Sequence, residues 1–134
     1  MDTSPRVILI PDPSRGFGRG VIKGISRYSA LHGRWSFYYQ SPRYLTKRQE
    51  LKLSEFKEWK PDGIICPITQ AGKLSELGVP MVGYDPGNYE GPIPCITSDD
   101  AVIGRLAAEH LVNQGHRHFA FSGYGSLTWS KARY

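Results

Sequence analysis

The sequence predicts an α/β protein: a parallel sheet flanked by helices on both faces. Three observations lead there. Short apolar runs such as RVILI and IICPI are continuous, not alternating, as in strands covered on both sides. Between them lie longer segments with apolar residues at helical spacing, closed by Gly33, Gly78 and Gly115. Strand and helix alternate with short connections, which demands parallel pairing and right-handed crossovers.

The elements follow in chain order. Arg6–Ile10 is the first strand, ended by Pro11-Asp12-Pro13, because proline cannot continue a ladder. The loop Asp12–Gly20 leads into a helix to about His32. Its residues Phe17, Val21, Ile25 and Tyr28 share one face, and Arg19, Lys23 and Arg27 lie toward another. Trp35–Tyr39 is aromatic and β-prone and makes the second strand. Ser41–Leu45 reads as a loop. Thr46–Trp59 reads as a charged amphipathic helix with Leu53, Phe56 and Trp59 as its apolar stripe. Ile64–Ile68 is the third strand, Gln70–Leu77 a short helix, Val79–Tyr84 the fourth strand and Cys95–Thr97 a short fifth. The Pro/Gly-rich stretch Asp85–Pro94 between the last two is a surface loop.

The segment from Thr97 to Gly125 is the most strongly patterned. Ser98 or Asp99 can cap a helix, since a short side-chain oxygen accepts from the free N–H groups of the first turn. Ile103, Leu106, Ala107, His110 and Leu111 are expected to form its buried face. Gly115 fits the left-handed position beyond its end. His118–Ser122 is expected to be a further buried strand.

At 134 residues the chain has the length of one domain with a single core. Apolar content of 40% and charged content of 22% are those of a globular protein. No apolar run is long enough to span a bilayer, and the opening MDTSPRVILIPDP reads as a first strand, not a secretory signal. The expected location is therefore the cytoplasm. The net charge of +5 is spread over scattered Lys and Arg without interleaved aromatics, so direct nucleic-acid binding by these residues is not expected. Cys66 and Cys95, in apolar surroundings and far apart in sequence, read as free thiols.

Catalytic and cofactor patterns are missing. Gly16, Gly18, Gly20 and Gly24 stand where a dinucleotide fingerprint would lie, but not at its G-x-G-x-x-G spacing. The second strand ends in Gln40-Ser41-Pro42, where a ribose-binding acid would be expected. These glycines read instead as sites of close helix–strand packing. FSGYG is no nucleophile elbow, because its serine precedes the glycines. His116 and His118 alternate like a metal pair but lack a third ligand, and suit the negative end of a helix. No cofactor and no metal is expected, and the chain reads as a binding module, not an enzyme. A small flavodoxin-like enzyme or a receiver-type signalling domain is the alternative.

SDDAVIGRLAAEHLVNQGHRHFAF resembles the segment of LacI-type effector-binding domains in which an acidic pair opens a helix and AAEHL and GHR follow. With RGVIKGISRYSALHGRWSFYYQSPR, DGII, GVPMVGYD and FSGYGSLTWSKAR, the chain is similar over most of residues 6–134 to the xylose operon regulator group. That group joins a periplasmic-binding-protein-like sensor to an AraC-type DNA-binding domain. The resemblance implies a sheet of Rossmann-like or flavodoxin-like order forming the N-terminal lobe of a sugar-sensing domain, over residues 1–134. It implies a pentose-like effector, a second lobe and a DNA-binding domain outside this chain, and a homodimer through Val21–Leu31 and Trp35–Tyr39.

In such a sheet, ligands bind beyond the carboxyl ends of the strands, where strand order reverses. The loops there are Asp12–Gly16, Thr69–Gln70, Tyr84–Asp85, Ser98–Asp100 and Tyr124–Trp129. They offer Asp12, Ser14, Arg15, Tyr84, Asp85, Tyr124, Trp129 and Ser130. Carboxylates, hydroxyls and a guanidinium can fix sugar hydroxyls, and an aromatic ring can pack on the apolar face of a pyranose. For three of these residues a structural role is equally open: a turn cap for Asp85, core packing for Tyr84 and helix packing for Trp129.

Overall fold

The computed structural model describes residues 4–40, 51–85 and 87–134. The chain divides into two compact units, residues 1–86 with 91–96, and residues 87–90 with 97–134.

The first unit holds a five-stranded parallel sheet. Its strands are β1 (Arg6–Leu9), β2 (Ser36–Tyr39), β3 (Gly63–Pro67), β4 (Met81–Tyr84) and β5 (Cys95–Ile96), in the spatial order β2-β1-β3-β4-β5. The chain steps one way from β1 to β2 and then the other way to β3, so strand order reverses between β1 and β3. The register pairs Ile8 with Tyr38 on one side and with Ile64 on the other. Val7, Ile8, Leu9 and Ile10 are all buried, as a continuous apolar run on an inner strand requires. Phe56, Ile64, Cys66, Ile68, Ala71, Leu74 and Tyr84 are buried with them.

The sheet's connections carry α1 (Gly16–His32), α2 (Leu53–Trp59) and α3 (Ile68–Leu74), the last running on into a 3₁₀ turn over Ser75–Leu77. Phe56 of α2 packs edge-on against Tyr38, with ring centroids 5.1 Å apart. The expected start of that helix at positions 46–50, the loop over 41–45 and Pro86 of the surface loop lie outside the described residues. Within α1 the buried positions are Gly18 and Ser29, with Val21, Ile22 and Ile25 half-buried between them. Phe17 and Tyr28, expected on the inner face, are about half-exposed. Phe17 rests on Tyr84, and Tyr28 stacks on His32. Thr69 and Gln70, expected in a strand-end loop, are instead in the first turn of α3, because β3 passes into the helix with no intervening loop.

The second unit contains α4 (Asp100–Asn113) and α5 (Thr128–Ala132). Asp99 caps α4, its Oδ1 accepting from the Val102 N–H at 3.0 Å. The helix ends in a Schellman motif: Gly115, at φ 87°, donates to the Val112 carbonyl, and His116 donates to that of Leu111. Two expectations fail in this unit. The face Ile103, Leu106, Ala107, His110 and Leu111 is not buried; Leu106 is 55% exposed and only Leu111 is half-covered. His118–Ser122 forms no strand, and Phe119 is 50% exposed. Both failures have one cause. An amphipathic helix needs a sheet or helix face to cover it, and a strand exists only through its ladder. Among the described residues, this unit supplies no strand and, besides α4, only the five-residue α5, which meets α4 at Gly104 and leaves this face open.

Candidate functional site

The loop after β1 is pinned from within. Asp12 Oδ1 accepts from the Ser14 N–H at 3.0 Å and from the Ser14 hydroxyl at 2.5 Å, an Asx turn of the kind short acidic side chains favour. The Arg19 guanidinium reaches back from α1 and donates to the carbonyls of Pro13 and Ser14, at 3.1 and 3.0 Å. Gly18 lets the helix sit directly on the loop: a Cβ there would lie 1.8 Å from the Asp12 carbonyl oxygen. Arg15 occupies the cap position of α1 and is exposed. Three of the candidate residues, Asp12, Ser14 and Arg15, therefore sit on one preorganised turn beside the point where strand order reverses.

Tyr84 ends β4 and is buried. Its hydroxyl donates to the Ile10 carbonyl at 2.6 Å, tying the end of β4 to the end of β1. Burial is the main reason its ionisation is pushed far above the ordinary phenol value. The ring is therefore neutral and its hydroxyl already engaged. Asp85 follows, exposed and at φ 53°. Left-handed backbone is costly for most residues and least so for Asp and Asn. Carboxylates thus flank both ends of the Tyr84–Ile10 link.

Tyr124, Trp129 and Ser130 belong to the second unit. The Ser130 hydroxyl, fully buried, accepts from the Tyr124 N–H at 2.8 Å, and the rings of Tyr124 and Trp129 lie 6.3 Å apart. Tyr124 and Ser130 also line an open cavity of about 300 Å³ with Phe121, Lys131 and Tyr134.

Asp100 and Arg133 were not anticipated. In the structure Asp100, only 9% exposed, accepts on Oδ1 from Nε and Nη2 of Arg133, each at 2.8 Å. The guanidinium also lies over the Trp129 ring at 4.9 Å. The four-residue step from Trp129 to Arg133 was the available signal, since such neighbours meet on a helix. The partnership with Asp100, 33 residues away, has no local signature.

Among the described residues no group of three or more His, Cys, Asp or Glu could hold a metal, and no helix is long and apolar enough to cross a membrane.

No protein-family profile matches the chain. It is 27% identical over 130 residues to a ribose operon repressor of Halalkalibacterium halodurans, covering 95% of this chain and 39% of the repressor. Solved structures share the fold. A xylose-binding transcription activator superposes with TM-score 0.70 at 24% identity, over 99% of this chain and 34% of its own. A periplasmic binding protein/LacI transcriptional regulator from Alkaliphilus metalliredigens, complexed with D-xylulofuranose, gives 0.63 at 20% identity, over 97% and 49%. A glucose-galactose binding protein from Geobacillus stearothermophilus gives 0.64 at 20%, over 97% and 51%. The chain therefore spans between about a third and a half of these proteins. Its fold, a five-stranded parallel sheet with flanking helices, is that of periplasmic-binding-protein-like and LacI-type regulator domains.

Proposed function

We propose that residues 1–134 carry the N-terminal lobe of the effector-sensing domain of a sugar-responsive transcription regulator. The observation that carries this reading is the strand order β2-β1-β3-β4-β5, which reverses beside the pinned Asp12–Arg15 turn. Crevices at such reversals are where open α/β sheets bind ligands. Likeness to a ribose operon repressor and to a xylose-binding activator supports a small sugar, pentose-like, as the guest.

In this reading Asp12, Ser14, Arg15 and Asp85 address sugar hydroxyls. Tyr84 offers its ring as a wall while its hydroxyl holds Ile10. The second unit carries contacts of its own in Tyr124, Trp129 and Ser130, with Arg133 steadied by Asp100. DNA is bound through a domain outside these residues, AraC-type in the group the sequence resembles. Action in the cytoplasm follows from the same reading.

A sensor and a nucleotide-binding enzyme of similar fold differ in what they bind. Titration of the chain with D-xylose and D-ribose, and in parallel with FMN and NAD, separates them. The expected result is weak pentose binding, with Kd about 1 mM or above and so no more than ~4 kcal/mol, because many ligand contacts lie outside this chain. FMN and NAD leave it unchanged. Micromolar binding of either nucleotide overturns the sensor reading.

The homodimer is proposed through Val21–Leu31 and Trp35–Tyr39. Tyr28, Leu31 and Tyr39 on these segments are exposed, and tyrosine is enriched at protein interfaces. Sedimentation should show a dimer for the wild type and a monomer for Tyr28→Glu. Equal molecular weights for the two contradict this interface.

A further inference from the structure

Cys66 and Cys95 are the two cysteines of the chain, and neither is in a disulfide. The register pairs Cys66 with Gly83 and Gly83 with Cys95, so the three residues form one row across β3, β4 and β5. Paired residues of a parallel ladder point to the same face of the sheet. The thiols therefore flank a position that has no side chain. Adjacent strands are about 4.8 Å apart, which puts the two cysteine Cα atoms on the order of 9.6 Å from each other. A disulfide needs a Cα separation below about 7 Å. The row is too wide for a sulfur–sulfur bond, yet the sulfurs can lean toward each other over the glycine. Cys95 does so: its Sγ lies 2.8 Å from where a Gly83 Cβ would stand. Cys66 is fully buried, and burial, with a smaller contribution from Cys95, pushes its thiol up to about 11.

We propose that Cys66 and Cys95 form a two-thiolate site for a soft, thiophilic cation of the mercury(II) or copper(I) kind, held in line across Gly83. Thiolates select such ions over hard ones. With metal–sulfur bonds of about 2.3 Å, a linear arrangement needs sulfurs on the order of 4.6 Å apart. Two side chains leaning inward from alternate strands can reach that span. A linear ion needs no third protein ligand and no water. The Ile68 Cδ1 methyl, 2.9 Å from the same Gly83 point, is the flexible group that swings aside. Binding forms two metal–sulfur bonds and releases both thiol protons to solvent, with no change of oxidation state. The ion ties β5, an edge strand of two residues, to β3, across the residue that precedes Tyr84 and Asp85.

The test is titration of the 134-residue chain with mercury(II) chloride, following sulfur-to-metal charge-transfer absorption, free thiols and Tm. One ion per chain, loss of both thiols together and a raised Tm are expected. Cys66→Ser and Cys95→Ser should each weaken binding by more than about 100-fold, beyond what losing an outer-shell partner costs. Gly83→Ala retains both thiols but fills the gap, and should weaken binding as well. Two ions per chain, capture by Cys95 with Cys66 left free, or a Cys66→Ser variant that binds as tightly as the wild type overturns the site. The wild-type stoichiometry decides the matter even if a variant fails to fold.

Discussion

Replacing Gly18 with alanine should destabilise the first unit by about 3 kcal/mol, at the upper end of what overpacking costs. The added methyl would lie 1.8 Å from the Asp12 carbonyl oxygen and 2.7 Å from its carbon. Both are backbone atoms, so no rotamer change relieves the clash; the helix or the turn has to move. Gly20 and Gly24, on the same helix, have no atom within 4 Å of a Cβ. Alanine there should stabilise by about 0.5–1 kcal/mol each, through helix propensity and a less flexible unfolded chain. Urea unfolding followed by circular dichroism measures all three. Opposite signs within one helix would show that Gly18 is kept for its close approach to Asp12. Equal effects at the three positions would remove the argument that α1 holds the turn.

Gly104→Ala is expected to cost the second unit a comparable amount, about 3 kcal/mol. Its methyl would stand 2.1 Å from the Arg133 carbonyl oxygen and 2.9 Å from the Arg133 Cα. Displacing that backbone also pulls the guanidinium from Asp100. Asp100→Ala isolates the ion pair. Hydrogen bonds to charged groups are worth about 1.5–3 kcal/mol, and the lower end applies here. The Arg133 side chain is 34% exposed, so solvent screens what is lost. Fluorescence of Trp129, which lies under the same guanidinium, and limited proteolysis beyond Thr97 report on both variants. Wild-type resistance in Gly104→Ala would contradict the packing of α5 on α4.

The elements that could be read from sequence are those whose signal is local. Continuous apolar runs marked β1 and β3, the short side-chain oxygen of Asp99 marked the start of α4, and Gly115 marked its end. Each rests on chemistry within four or five residues. The inner face of α4 and the strand at His118–Ser122 were misjudged for the opposite reason. Apolar spacing says that a surface wants covering, and does not say that the described chain contains the cover. The glycine-rich start shows the limit more finely. Four glycines look alike in sequence, and only Gly18 meets a backbone atom closely enough to require one. At the candidate site, Asp12 and Ser14 were legible as polar residues after a strand. That they bond each other, that Tyr84 spends its hydroxyl on Ile10, and that Arg133 belongs with Asp100 depend on pairs up to 74 residues apart.

The proposed sugar site lies at the carboxyl edge of β1 and β4. Amide chemical shifts recorded while D-xylose is added to the isotope-labelled chain test it most directly. Saturable shifts are predicted at Asp12, Ser14, Arg15, Tyr84 and Asp85, in the millimolar range. In Asp85→Gly the same titration should be weakened about tenfold, or ~1.4 kcal/mol. Stability should not fall in that variant, because glycine accepts the φ of 53° without cost. Shifts confined to the opposite edge of the sheet, around Arg6 and Asp62, or an Asp85→Gly chain that binds as the wild type does, would contradict the account.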